Sequence, residues 1–155
     1  MTAARNGRDV AAETRRDSRL RWRLLLALAI VTPLGIATKL YAGPGQAWVA
    51  TRAGGTLYVV FWCLLVATLR PRFSPWVVSA AVLVITSLLE FLQLWHPGPL
   101  QAVRSTWLGH ALIGSTFSWS DFPYYAVGAL LAATILRSFR GSRPWLSAAK
   151  PAVRV

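Results

Sequence analysis

Four long apolar runs divide the chain, at residues 24–41, 54–69, 76–95 and 122–136, separated by stretches rich in Gly, Pro and charge. The first, "LLLALAIVTPLGIATKLY", carries Pro33 and Gly35, which are expected to bend it. The third, "WVVSAAVLVITSLLEFLQLW", begins and ends in Trp, a residue suited to a membrane interface. The second and fourth fall short of the roughly 20 residues a spanning helix needs, so they must draw on flanking residues or a locally thin bilayer. The pattern predicts an all-α integral membrane four-helix bundle over residues 24–138. Basic tails precede and follow it at 1–23 and 139–155, without evident structure at about 1–19 and 141–155.

Residues 96–120 are too long for a tight turn and, around "TWLGHALIGSTFSW", too apolar for a free loop. They read as a short interfacial or re-entrant segment between helices 3 and 4, tolerable at membrane depth where protein covers its backbone. A fifth span there would carry the basic C-terminal tail to the opposite side.

Composition strengthens the membrane reading. Hydrophobic residues make up 55% of the 155 and charged residues only 14%, against roughly 25% charged in soluble domains. The net charge of +12 would suggest nucleic acid in a soluble chain. Here the basic residues flank the apolar runs and do not interleave with an exposed aromatic stripe. The expected partner is therefore the lipid bilayer, anionic headgroups included, and not nucleic acid. Seven basic residues precede residue 24, two lie at Arg70 and Arg72, and five follow residue 136, while Lys39, Arg52 and Arg104 alone fall on the other side. That asymmetry predicts cytoplasmic N- and C-termini. The N-terminus is a poor signal peptide, because its charged stretch is long and no clean small-x-small site follows the first apolar run. Cys63 is the only cysteine, so an internal disulfide is excluded.

Against this background the acids stand out. Beyond residue 18 there are two, Glu90 and Asp121. The predicted topology places Lys39 at the outer end of helix 1, Glu90 and Gln93 on one face near the outer end of helix 3, Arg104 in the following segment, and Ser120 and Asp121 at the outer start of helix 4. Charges in a bilayer core cost about 2.5–3.5 kcal/mol each on insertion scales, so they face the bundle and pair. A Lys39–Glu90 or an Arg104–Glu90 pair is expected, either as a staple between helices or as part of an outward-facing site. Asp121, with Pro123 in the first turn after it, reads as a helix N-cap ahead of any direct chemistry, and capping is compatible with pairing to an Arg.

Gly128 with Ala132, and Ala129 with Ala133, give the small-xxx-small spacing of close helix packing. His96, His110 and Glu90 lack the tight spacing of zinc ligands, so neither metal nor cofactor is expected. Ser105, Ser115 and Ser118 have no nucleophile context such as G-x-S-x-G. Trp48, Trp95, Trp107 and Trp119 fall near the outer boundary as an aromatic belt would.

"EFLQ" closing the third run, Arg104 after it, and "GSTFSWSDFPYYAVG" over residues 114–128 together resemble a family of small bacterial inner-membrane proteins, the domain of unknown function 2809 family. The resemblance covers roughly residues 24–138, and the string Gly-x-x-Phe-Ser-Trp-x-Asp-x-x-x-Tyr-x-x-Gly is its most specific part. It implies four spans and a bacterial source. A looser similarity links the chain to VanZ-like proteins, associated with teicoplanin resistance, in which Glu-x-x-Gln late in a span is followed by Arg and Asp before a Gly-containing helix. By that analogy Glu90, Gln93, Arg104 and Asp121 are the matching positions. One departure stands at "RAGGTLY": family members are expected to carry an acid at the start of the second span, and its loss leaves Arg52 without an evident mate.

The first functional reading is a non-enzymatic membrane protein that binds an envelope ligand, a lipid headgroup or cell-wall precursor, at an outward-facing cluster of Lys39, Glu90, Gln93, Arg104, Asp121 and Tyr125. Arg and Lys would hold a phosphate or carboxylate, with Glu90 and Gln93 orienting them. The alternatives are a membrane-embedded enzyme on a lipid-linked substrate with Glu90 as general acid or base, and a structural subunit of a complex or homo-oligomer packed through Gly128 and Ala132. Transport ranks last, because four short helices with one acid inside a span leave little room for a coupled pathway.

Overall fold

The structure, a computed structural model, describes residues 2–106, 109, 112, 113 and 116–141. Among them every regular element is helical. In order these are α1 (Thr2–Leu40), α2 (Gln46–Trp48), a π-helical turn (Val49–Ala53), α3 (Gly54–Leu69), α4 (Pro75–Leu92), α5 (Gly98–Arg104), a 3-10 turn (Trp119–Asp121) and α6 (Phe122–Arg140). Four segments are long and apolar enough to cross a membrane: Asp17–Leu40, Gln46–Leu69, Pro75–Leu92 and Trp119–Arg140. The chain is an all-α, multi-pass arrangement of four such helices.

The second and fourth spans are longer than their apolar runs. The helix containing α3 starts at Gln46 and passes through the π turn, giving 24 residues in place of 16. The fourth begins with the 3-10 turn at Trp119 and reaches 22 residues. Arg52 and Asp121 break the hydropathy pattern there without breaking the helix. Neither span therefore needs a thinned bilayer. α1 runs unbroken through Pro33 and also takes in residues 2–19, expected to lack structure. That stretch is rich in Ala and Arg, which lose little or no side-chain freedom in a helix.

α3 lies centrally, packed chiefly on α6 and α1, while α4 packs on α6 and more lightly on α3. The buried core joins Leu24 of α1, Val59, Cys63 and Leu64 of α3, Val82 of α4, and Ala132 and Leu136 of α6. α6 gets close to α3 through small residues. A Cβ added at Gly128 would sit 2.7 Å from the Thr56 carbonyl oxygen and 3.0 Å from the Val59 Cβ. Ala129, Ala132 and Ala133 are buried beside it. Gly128 on the small-residue face of α6 is thus spent within the chain, on α3.

Arg23 Nη1 donates to the Phe139 carbonyl (3.4 Å), tying the N-terminal part of the first span to the end of α6. Both ends of the described chain therefore share one end of the bundle, together with the Arg70–Ser74 turn. The opposite end carries the α1–α2 connection and the described residues between His96 and Asp121, and it holds the described residues singled out above.

Candidate functional site

α4 turns a polar stripe inward. Val78, Ser79, Val82, Thr86 and Glu90 are its buried positions, spaced three and four apart on one face. Thr86 Oγ1 donates to the Val82 carbonyl (2.9 Å), so its hydroxyl needs no partner from another helix. Glu90, next on the stripe, is only 1% exposed and cannot be satisfied that way, since a carboxylate oxygen has no proton to give a carbonyl.

Three donors reach it. Gln93 Nε2, one turn on, donates to Oε2 (3.0 Å). Tyr125 Oη of α6 donates to the same oxygen (2.7 Å). The backbone N–H of Ser118 donates to Oε1 (2.8 Å). Glu90 thereby ties together α4, α6 and the strap leading into α6. The Tyr125 ring has space because the neighbouring position is Gly55, where a Cβ would sit 3.2 Å from the Tyr125 Cε1.

The strap is held apolarly as well. Phe91, beside Glu90 in "EFLQ", sits among Phe117, Trp119 and Phe122, with ring centroids at 5.9, 5.9 and 5.4 Å. Phe117 and Trp119 meet edge-on at 5.0 Å. "FSWSDF" is therefore a clasp: its aromatic residues close around Phe91 while Ser118 between them delivers its N–H to Glu90.

The expected ion pairs to Glu90 are not formed. Arg104, 4% exposed, donates through Nη1 to the Trp95 carbonyl (2.9 Å) and through Nη2 to the Leu92 carbonyl (2.8 Å). It caps the C-terminal end of α4, where unpaired carbonyls and the negative end of the helix dipole converge. Its Nε has no partner among the described residues. Lys39 is exposed and donates to the Ala50 carbonyl (2.7 Å) in the π turn, where a widened helix leaves such a group accessible. Both cations find backbone oxygens closer at hand than the carboxylate.

Asp121 stands at the N-cap position of α6, yet its side chain makes no capping bond. The preceding 3-10 turn gives it helical backbone angles, φ −84° and ψ −27°, so its carboxylate is not in the extended geometry a cap uses. Among the described residues its side chain meets the Ser120 hydroxyl, at 3.5 Å. Ser120 Oγ lies 2.7 Å from Ser118 Oγ.

Arg52 was not among the expected site residues and turns out to be the organising cation of this end. Its Nη1 donates to the Ser120 carbonyl (2.9 Å), and its guanidinium lies 5.0 Å over the Tyr124 ring. Thr56, a turn later, donates to the Tyr124 carbonyl (3.3 Å). In "RAGG" the residues after Arg52 matter by their smallness: a Cβ on Gly54 would lie 3.0 Å from Thr38 Oγ1 and 3.4 Å from Lys39 Nζ. The mate that a missing acid seemed to deny Arg52 is a carbonyl and a ring. Tyr58, also not anticipated, donates to the Leu112 carbonyl (2.7 Å), fastening α3 to the segment after α5.

Two polar groups thus share this end. Glu90, Gln93, Tyr125 and Ser118 form a buried knot, with Arg104 beside α4's end; Lys39 and Arg52, on either side of the π turn, stay nearer the surface with Ser120 and Asp121. His96, Trp48, Trp95 and Trp119 are exposed here. His110, Ser115 and Trp107 lie outside the described residues. Among the described residues no three His, Cys, Asp or Glu side chains group as metal ligands would.

Residues 45–129, more than half of the chain, match the family described as protein of unknown function (DUF2809). The chain belongs to this family. The match begins just before α2 and ends within α6, so the DUF2809 region contains the π turn, the Glu90 knot, the aromatic clasp and the Arg52 contacts, and leaves α1 with Lys39 outside. It is narrower than the 24–138 expected from the motifs. No solved structure matches the chain.

Proposed function

We propose that this DUF2809 protein is a non-enzymatic multi-pass protein of a bacterial inner membrane, with both termini cytoplasmic, that holds an anionic envelope ligand at the opposite end of its bundle. The ligand class is a phosphate-bearing lipid headgroup or lipid-linked cell-wall precursor. Lys39 and Arg52 are its recognition groups. Glu90, Gln93, Tyr125 and Arg104 shape the wall behind them, and Asp121 keeps the Ser118–Ser120 hydroxyls in place.

The observation that carries this reading is Arg52. Among the described residues its guanidinium spends one hydrogen bond on a carbonyl and one face on Tyr124, and no carboxylate neutralises it. A cation held half-buried at a membrane boundary, with donors to spare, suits a phosphate oxygen, for which an Arg fork is well shaped.

The full chain in phosphatidylcholine nanodiscs, titrated with a short-chain polyprenyl pyrophosphate, tests it. Arg52→Gln and Lys39→Gln are each expected to weaken binding at least about tenfold, the scale of one charge-assisted hydrogen bond. Unchanged binding in both variants, with thermal unfolding preserved, would sink the proposal.

A purely structural role is the second reading, and one observation favours it: both Glu90 oxygens are already engaged by the chain's own donors. Under that reading Glu90→Gln lowers stability while no variant at this end alters binding of any anion. General acid or base work by Glu90 would require it to give up one of those donors first.

A further inference from the structure

The other end of the bundle has its own cationic architecture, independent of the proposed ligand site. The Arg70–Ser74 turn is drawn against the last turn of α6, where Arg140 Nη1 donates to the Phe73 carbonyl. One turn back along α6, the Arg137 guanidinium lies 5.7 Å over the ring of Trp76, in the first turn of α4. Arg72 is exposed on the same turn. Among the described residues Arg137 meets an aromatic face, and the two acids beyond residue 18 are both at the far end of the bundle. Asp17 on α1 is the sole acid described near this end with its side chain, and it is exposed.

Phe73 and Trp76 are both largely exposed beside these cations. Below them, towards the middle of the spans, α4 and α6 continue as exposed aliphatic surface, with Val77 and Val84 on one and Leu130 and Leu131 on the other. Cations, an aromatic step and an apolar wall in that order match the layers of one phospholipid: phosphate, glycerol level, acyl chain. A soluble polyanion would meet the charges and gain nothing from the rest.

We infer that the exposed surface shared by the Arg70–Ser74 turn, the start of α4 and the end of α6 is a binding site for an anionic phospholipid of the surrounding leaflet. Arg72 and Arg137 take its headgroup phosphate, Trp76 packs at the glycerol level, and the α4 and α6 aliphatic faces receive a chain. The site is more than a general attraction of basic tails for an anionic surface, because it depends on where the charge is and not on how much there is.

That distinction sets the experiment. The full chain, purified in a mild detergent, is offered an equimolar mixture of phosphatidylglycerol and phosphatidylcholine, and the retained lipid is counted by native mass spectrometry. The double variant Arg72→Gln/Arg137→Gln is compared with Arg19→Gln/Arg21→Gln, which removes the same charge from an exposed stretch of α1. The first is expected to lower the retained phosphatidylglycerol-to-phosphatidylcholine ratio about thirtyfold, the scale of two phosphate-facing arginines. The second should leave it within about twofold, and Arg72→Lys/Arg137→Lys should keep most of it. Trp76→Leu, which leaves every charge in place, should shorten lipid retention without erasing the preference for phosphatidylglycerol. An equal loss in both Gln pairs would mean diffuse attraction, and no loss in either would mean no site. Competition by millimolar inorganic phosphate as strong as by phosphatidylglycerol would mean a plain anion site. Each of these three overturns the inference.

Discussion

Glu90 presents two oxygens to three donors, and what those bonds contribute depends on the solvent of reference. In a bilayer, interhelical hydrogen bonds measured by double-mutant cycles average about 0.6 kcal/mol and reach about 1.7, because the unfolded chain finds other partners in lipid. Tyr125→Phe, which deletes one donor (2.7 Å), should therefore cost about 0.5–1.7 kcal/mol. Glu90→Gln should cost more, about 1–3 kcal/mol, because its new NH2 faces an N–H or O–H where an acceptor stood. Unfolding of both variants and the double mutant in mixed micelles measures this, and strict additivity would deny that the two groups touch. Arg104 makes a complementary case. Its two bonds converge on the Trp95 and Leu92 carbonyls (2.9 and 2.8 Å), a fork that the single ammonium of Lys cannot reproduce. Arg104→Lys is thus expected to recover less than half of the stability that Arg104→Ala loses, read as midpoints in the same assay. At this scale the sequence was readable in part. Glu90, Gln93 and Tyr125 share a face or a level, and helical spacing says so. The partners of Lys39 and Arg104 were not readable, since both are backbone carbonyls, and every residue type offers one.

Between elements, α6 against α3 is the closest approach, and Gly128 sets it. Adding one methyl brings it to within 2.7 Å of the Thr56 carbonyl oxygen, an overlap that only a shift of the helices relieves. Overpacking of this kind costs about 1–3 kcal/mol. Gly128→Ala should lower the unfolding midpoint in detergent while leaving the oligomeric state, by light scattering, as it is in the parent. A change in association with no change in stability would mean that this face meets a second chain instead. The small-xxx-small spacing was visible in the chain from the start, but it does not name its partner helix, since the same spacing serves contacts within and between chains. Span lengths failed for a related reason. Arg52 and Asp121 ended their apolar runs on paper, whereas in the fold a ring and a carbonyl shelter one, and a 3-10 turn carries the other into α6.

On the scale of the whole molecule, the two ends differ in kind. One gathers arginines around the termini and the Arg70–Ser74 turn; the other buries a carboxylate and an arginine beneath aromatic residues. Charge asymmetry alone predicted which end faces the cytoplasm. Reporter fusions after residue 155 and before residue 1 should both report cytoplasmic placement, and one inserted in the α1–α2 connection should report the opposite side. Disagreement between the two terminal fusions would rule out an even number of spans. The four-span count was legible because a mean hydropathy of +0.45 over a chain with clustered charges leaves few other arrangements. The strap from Phe117 to Asp121 was not, because it is held by contacts with Phe91 and Glu90 that lie 26 or more residues away in sequence.

The π turn at Val49–Ala53 carries one further consequence. A π turn has the arithmetic of a single residue inserted into an α-helix, so α2 and α3 follow one axis but differ in phase by about 100°. Deleting Ala53 would restore a regular helix, leave the span hydrophobic and long enough to insert, and pass any test of membrane integration. It would also rotate Arg52 away from Ser120 and Tyr124, and the Ala50 carbonyl away from Lys39. The segment therefore behaves like a vernier: one residue of length, invisible to hydropathy, sets the bearing of both cations at this end of the protein.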